Sequence, residues 1–217
     1  WVEDRSWWYR TTFRVEKRML ECDRLELVFD GILFHGQVFL NGKKIGVARN
    51  ALVAWRFDAK PAVRAGRNDL VVRVTLGHEL VDENPEAPRR WLRDDVNIFS
   101  HPRMLMRMPQ FMFGWDWVQA LPNVGIWRGV RLEGARAARI TDVTLRFRDA
   151  GRHSTVEAQT IIENLSDFSE LACEVRVELK SPSGGRHVAS AHVDAQAGRS
   201  TVRIVVPVDS PELWWPN

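Results

Sequence analysis

Cysteine is scarce in this 217-residue chain: only Cys22 and Cys173, far apart. Two such residues make no disulfide framework, and no CxxC or Cys/His spacing suggests zinc. They read as small apolar core residues, and unbridged thiols lean toward the cytoplasm. Charge of one sign is also missing. The net charge is +3 and the basic residues are scattered, so nucleic acid is not an expected partner. No apolar run approaches the ~18 residues of a membrane-crossing helix, so no membrane partner is expected either. There is no GxSxG, no HExxH and no phosphate-cradling glycine loop. Six histidines are dispersed without ligand spacing, so no metal or cofactor is assigned. Asp82 with Glu83, and Asp94 with Asp95, are adjacent in sequence, and such neighbours rarely face each other at the ~5 Å that paired-carboxylate chemistry needs. Arg89, Arg90 and Arg93 share their segment, which reads as a solvated, salt-bridged face. No catalytic residue is assigned to the chain.

What is present is β-structure. Sustained helical periodicity is lacking; short runs of β-branched and aromatic residues recur between Gly, Pro, Asn and Asp. WWYRTTFRV alternates, with Trp7, Tyr9, Thr11, Phe13 and Val15 on its more apolar face. LELVFDGI suits a buried strand. QVFLNGKKIGV spells a hairpin turning at Asn41-Gly42, a pair that tolerates positive φ. DLVVRVTL is another strand. Residues 77–107 are polar and proline-bearing, a functional or capping loop with room for a short helix. After Glu133 the runs RITDVTLRFRD, HSTVEAQTIIEN, SELACEVRVELKS, GRHVASAHVD and STVRIVVPV are regularly spaced strand candidates. Val175, Val177 and Leu179 alternate there with charged residues. Such spacing predicts a small immunoglobulin-like sandwich. The chain thus reads as two all-β domains, 1–135 and 136–217, without repeats. Residue 1 is Trp, no signal peptide is visible, and SPELWWPN closes on apolar residues, so both ends read as cut from something longer.

Ten tryptophans stand against a single tyrosine. Three of them, Trp115, Trp117 and Trp127, fall in FMFGWDWVQALPNVGIWRGV, residues 111–130, where Asp116 lies between two indoles. A regular strand over 110–117 would put Phe111, Phe113, Trp115 and Trp117 on one core face and Asp116 outward. Gly114 argues for a bulge instead, which would bring Trp115 and Asp116 to one rim. An indole face matches the C–H face of a pyranose, and a carboxylate accepts hydrogen bonds from vicinal hydroxyls. From the residues alone both readings stay open.

The segments WWYRTTFRV, LVFDGILFHGQVFLNGKKIG, WRFDAKPAVRAGRNDLVVRV and GIWRGVRLE, in this order, resemble the non-catalytic N-terminal half of glycoside hydrolase family 2 enzymes. RMPQFMFGWDW resembles the β-mannosidase branch specifically. SPELWWPN is similar to the end of the family's first immunoglobulin-like domain. The resemblance covers essentially the whole chain.

It implies a jelly-roll, galactose-binding-like β-sandwich without its usual first strand, followed by an immunoglobulin-like β-sandwich. It also implies a carbohydrate partner, with a terminal β-mannoside favoured, and a downstream (β/α)₈ barrel that supplies the two catalytic glutamates. Trp115 and Asp116 are the implied sugar-binding residues. Arg107 and Trp117 are further substrate-binding candidates and, with Gln110, supports of the loop. Two departures stand out: Met108 where the branch carries Lys, and Val118-Gln119 where it carries Gly-Pro. Either implies altered specificity or an inactive relative. The rival expectation is a free-standing carbohydrate-binding or purely structural β protein.

Overall fold

A computed structural model describes residues 5–77, 79–80, 106–114, 117 and 119–213. The chain divides into two compact units, residues 1–134 and 135–217. Both are built almost wholly of antiparallel strands, so the all-β expectation holds.

In the first unit, strands β1 (Trp7–Val15), β2 (Arg24–Phe29), β3 (Ile32–Leu33), β4 (His35–Leu40), β5 (Lys43–Ala48), β6 (Trp55–Asp58) and β7 (Gly66–Thr75) precede β8 (Gly125–Ile126) and β9 (Val130–Ala135). A short helix, α1 (Lys17–Leu20), joins β1 to β2. One sheet has the order β1-β7-β4-β5, a second β6-β2-β9, and β3 pairs with β8. Their shared core is aliphatic and aromatic. Leu27, Phe29 and Ile32 meet Val38, Leu40, Leu70, Val72 and Val74, all buried. β7 shows why the chain folds this way. Asn68, Leu70, Val72 and Val74 are buried at every second position, the period of a pleated strand.

The Asn41-Gly42 hairpin forms with both residues at positive φ, 51° and 82°. Asn41 does more than turn the chain. Its Nδ2 donates to Ala62 O and to Asn68 Oδ1, each at 2.8 Å, and its Oδ1 accepts from Asp69 N. Asn68, fully buried, donates in turn to the carbonyls of Arg64 and Gly66. These bonds tie the hairpin to the turn before β7 and satisfy an amide that would otherwise be costly to bury.

Among the described residues β1 is an edge strand. Its odd-numbered face shows Tyr9, Phe13 and their neighbours to a cleft of about 410 Å³ shared with Leu27, Phe29, Val72 and Leu132. On its other face Trp8, 61% exposed, stacks on Phe39 with ring centroids 6.3 Å apart.

The second unit contains β10 (Ala138–Arg148), β11 (His153–Asn164), β12 (Glu170–Lys180), β13 (Arg186–Gln196) and β14 (Gly198–Asp209). These are the regularly spaced runs of the sequence. The sheet β10-β11-β14 faces the pair β12-β13, across Ile162, Val175, Ala195, Val202, Ile204 and Val206. Asn164 ties this unit together by donating from Nδ2 to Phe168 O and Ala195 O. Cys22 is buried and Cys173 half-buried, and both are free thiols.

Candidate functional site

Two sequence motifs, FDGIL and GIWRG, fold as one structure. Ile32 pairs with Ile126 and Leu33 with Gly125. Asp30 N donates to Gly129 O at 3.0 Å, and Trp127 N to Gly31 O at 3.2 Å. Glycine is needed at 31 because a Cβ there would stand 2.3 Å from Trp127 Nε1. The half-exposed indole lies against this backbone, with the Arg128 guanidinium 4.2 Å from its ring centroid.

Asp30, Leu52, Ala54, Trp127 and Arg128 line an open cleft of about 480 Å³. The Asp30 carboxylate accepts from Arg131 Nη1 at 2.5 Å. That bond, helped by the charges of Arg131, Arg128 and Arg56, holds its carboxyl below the ordinary range despite some desolvation. Arg131 also reaches Glu133, which accepts from Arg56 at 2.5 Å. An indole, a fixed carboxylate and a guanidinium side by side form a surface suited to polar ligands with an apolar face.

The neighbouring rim comes from residues 106–121. Met106 and Met108 are buried with Leu33, Phe34, Ala51 and Leu76. Met108 therefore serves as a core residue at the position where the sequence resemblance placed a Lys. Ala51 N donates to Arg107 O at 2.8 Å, which fixes the exposed Arg107 beside the cleft wall. Gln110 Nε2 donates to Met106 O and Met108 O, a loop-supporting role.

The regular strand imagined over 110–117 does not form. Gln110–Phe113 is a 3₁₀ turn, and Gly114 follows at φ 97°, in the region that favours glycine. Phe113 and Met112 lean on the methionine cluster while Phe111 is 76% exposed. Phe111 and Phe113 therefore do not share one core face. Leu121 N donates to Met112 O at 2.9 Å, so residues 112 and 121 close a loop. Trp117 sits in that loop at a turn, 83% exposed. Trp115 and Asp116 lie outside the described residues, as do Val118, Asp82, Glu83, Asp94, Asp95 and the arginines beside them.

A second polar group sits at the root of this region. His35, 5% exposed, has Nδ1 2.9 Å from Glu79 Oε1, and Thr75 Oγ1 donates to the same carboxylate oxygen. Burial works against the charged Glu79. The bonds from Thr75 and His35 outweigh it, and its carboxyl lies below the ordinary range. Sequence reading missed both this pair and the Asp30 cleft. FDGI and GIWR were visible as motifs, but they are distant along the chain. The β3–β8 pairing that joins them exists only in the fold.

Comparison with known proteins agrees with this architecture. Beta-mannosidase B of Aspergillus niger is 29% identical to the chain, over 100% of the chain and 25% of the fungal protein. The crystal structure of Beta-D-Mannosidase from Dictyoglomus thermophilum matches with a TM-score of 0.80 and 31% identity, over 100% of this chain and 26% of that one. Bacteroides uniformis beta-glucuronidase, 18% identical, shares the fold with a TM-score of 0.66 over 96% of this chain and 22% of its own. The chain thus spans about a quarter of the length of the curated relatives it matches. Residues 1–128 match the family described as Glycosyl hydrolase 2 galactose-binding domain-like. With that match over more than half its length, the chain belongs to the glycosyl hydrolase 2 galactose-binding domain-like family.

Proposed function

We propose that this chain is the N-terminal accessory region of a retaining β-glycosidase of the β-mannosidase type. The observation that carries this reading is the match of the whole chain to one quarter of the β-mannosidases. In the proposed enzyme a downstream catalytic barrel supplies both reacting carboxylates, and double displacement through a glycosyl-enzyme intermediate cleaves the O-glycosidic bond. This region closes the terminal-sugar subsite with Trp115 and Asp116, while Arg107 and Trp117 flank them.

The exposed rim supports the reading. Phe111, Trp117, Leu121 and Leu52 are 62% to 83% exposed, and Leu52 lines the cleft that holds the Asp30 carboxylate and the Trp127 indole. Large apolar side chains left this exposed suit a surface that meets another domain. The apolar cleft between the outer edges of β1 and β9 supports a further strand in the first unit.

The test is Asp116→Ala in the uncut natural gene product, assayed on nitrophenyl β-mannoside. The expected result is a kcat/KM lower by about 100-fold or more, at unchanged Tm, for a hydrogen-bonding group that acts on the transition state. Unchanged kcat/KM would remove Asp116 from the site.

A further inference from the structure

A polar group at the edge of an apolar cluster joins the sheet of the first unit to the rim. His35 on β4 stands opposite Thr75 on β7 in the strand register, and the two residues are 5% and 7% exposed. Both meet Glu79, four residues beyond Thr75. His35 Nδ1 lies 2.9 Å from Glu79 Oε1, and Thr75 Oγ1 donates to the same oxygen. An ionised carboxylate only accepts, so His35 Nδ1 carries the proton of that bond. Hydrogen bonds to an ionised oxygen are roughly twice as strong as neutral ones. Burial opposes the charge on Glu79, yet these bonds keep its carboxyl below the ordinary range.

Each member of the group is the chain neighbour of an apolar residue in one cluster. Phe34 precedes His35, Leu76 follows Thr75 and Leu80 follows Glu79. All three pack in the cluster that also holds Met106, Met108, Met112 and Phe113 of the rim. Gly77 presses on the Phe34 ring, where a Cβ would stand 2.6 Å from Cδ1, and Leu80 N donates to Gly77 O at 3.0 Å. The chain leaving β7 is thus folded down onto β4, with Glu79 as its polar fastening. Released from it, Leu80 withdraws from the cluster and the rim methionines lose a packing partner. Close-packed interiors transmit such a shift. Two backbone bonds report where the rim then sits: Ala51 N to Arg107 O at 2.8 Å, and Leu121 N to Met112 O at 2.9 Å.

We propose that His35, Thr75 and Glu79 are positioning residues, which fix where residues 106–113 and 121 sit against the sheet. Through them the group sets the placement of the loop that holds Trp117, one of the proposed substrate-binding residues. The three act through the rim rather than on the sugar. A misplacement of about 1 Å can cost about 100-fold in rate, so a small slip of the rim is enough to matter. Their effect on catalysis rests on the accessory-region reading; their hold on the rim does not.

Hydrogen exchange on the 217-residue chain tests the hold directly. Glu79→Ala removes the acceptor, whereas Glu79→Gln keeps an oxygen that accepts from Thr75 and His35. In Glu79→Ala the Ala51 and Leu121 amides should exchange at least about 10-fold faster, while amides bonded between β1 and β7 change by less than about 2-fold. Glu79→Gln should stay within about 3-fold of the parent at every one of these amides. If Glu79→Ala fails to fold, Thr75→Val, which removes one donor and keeps the side-chain shape, should give the same local pattern. In the uncut natural gene product, Glu79→Ala should lower kcat/KM on nitrophenyl β-mannoside by about 10-fold or more, with a Tm within about 3 °C of the parent. Glu79→Gln should restore kcat/KM to within about 3-fold. Unchanged exchange at Ala51 and Leu121, or an equal rise throughout the first unit, would overturn the proposal. So would local acceleration that leaves kcat/KM intact. A long form that cleaves no glycoside would sink the sugar reading alone, and the exchange comparison would still decide whether this group holds the rim.

Discussion

Gly46 on β5 offers a sharp test of how the first unit is packed. A Cβ at this position would stand 2.1 Å from Phe57 Cδ1 and 2.4 Å from Cε1. The ring has little room to withdraw. Phe57 is 6% exposed, lies 6.0 Å from Trp55 in a stacked pair, and meets Phe29 edge-on at 6.0 Å. Ordinary carbon contacts lie near 3.5–4.0 Å, so Gly46→Ala requires the ring to move by roughly 1.5 Å. Overpacking of this kind costs about 1–3 kcal/mol. With two aromatic neighbours also displaced, the upper half of that range applies. At about 2–4 °C per kcal/mol for a chain of this size, the Tm falls by about 4–12 °C in calorimetry. Gly46 has no positive φ, so without the clash alanine would raise stability by about 0.4–1 kcal/mol. Phe57→Leu in the same chain should relieve the clash, with a coupling energy of at least about 1 kcal/mol. A Tm that rises, or two substitutions whose effects simply add, would refute the packing argument.

Asn68→Ala removes an amide with four hydrogen bonds, and should cost about 2–4 kcal/mol by denaturant titration. Asn68→Asp should also destabilise, since a carboxylate cannot donate to Arg64 O and Gly66 O. Gly31→Ala should displace the Trp127 indole, costing about 1 kcal/mol because the ring is half exposed and can swing outward; an unchanged Tm would contradict the close contact. Glu79 is held below the ordinary carboxylate range in the fold. Its stabilising contribution is therefore complete above its unfolded pKa and is lost as pH falls through the folded one. Thermal melts between about pH 6 and 3 should show less acid sensitivity in Glu79→Gln than in the parent chain, and equal sensitivity would count against the Thr75–His35–Glu79 group.

Much of the fold was legible because strands declare themselves locally. The alternation around Val175 and the Asn41-Gly42 turn need only neighbouring residues to be read. The rim around 106–121 was not legible for the same reason. Its 3₁₀ turn depends on burying Met106 and Met108 against Leu33 and Phe34, partners from a distant part of the chain. The Gly31–Trp127 contact and the His35–Glu79 pair likewise exist only once β3 meets β8 and β4 meets β7. The alternating face of β1 was read correctly, but as an edge strand it borders an open cleft rather than a closed core.

The most direct measurement is hydrolysis of nitrophenyl β-mannoside by the uncut natural gene product and by the 217-residue chain, with the β-galactoside, β-glucuronide and β-glucoside as controls. The account predicts turnover of the mannoside by the long form and none by the short one. Failure of the long form to cleave any of the four glycosides would contradict it.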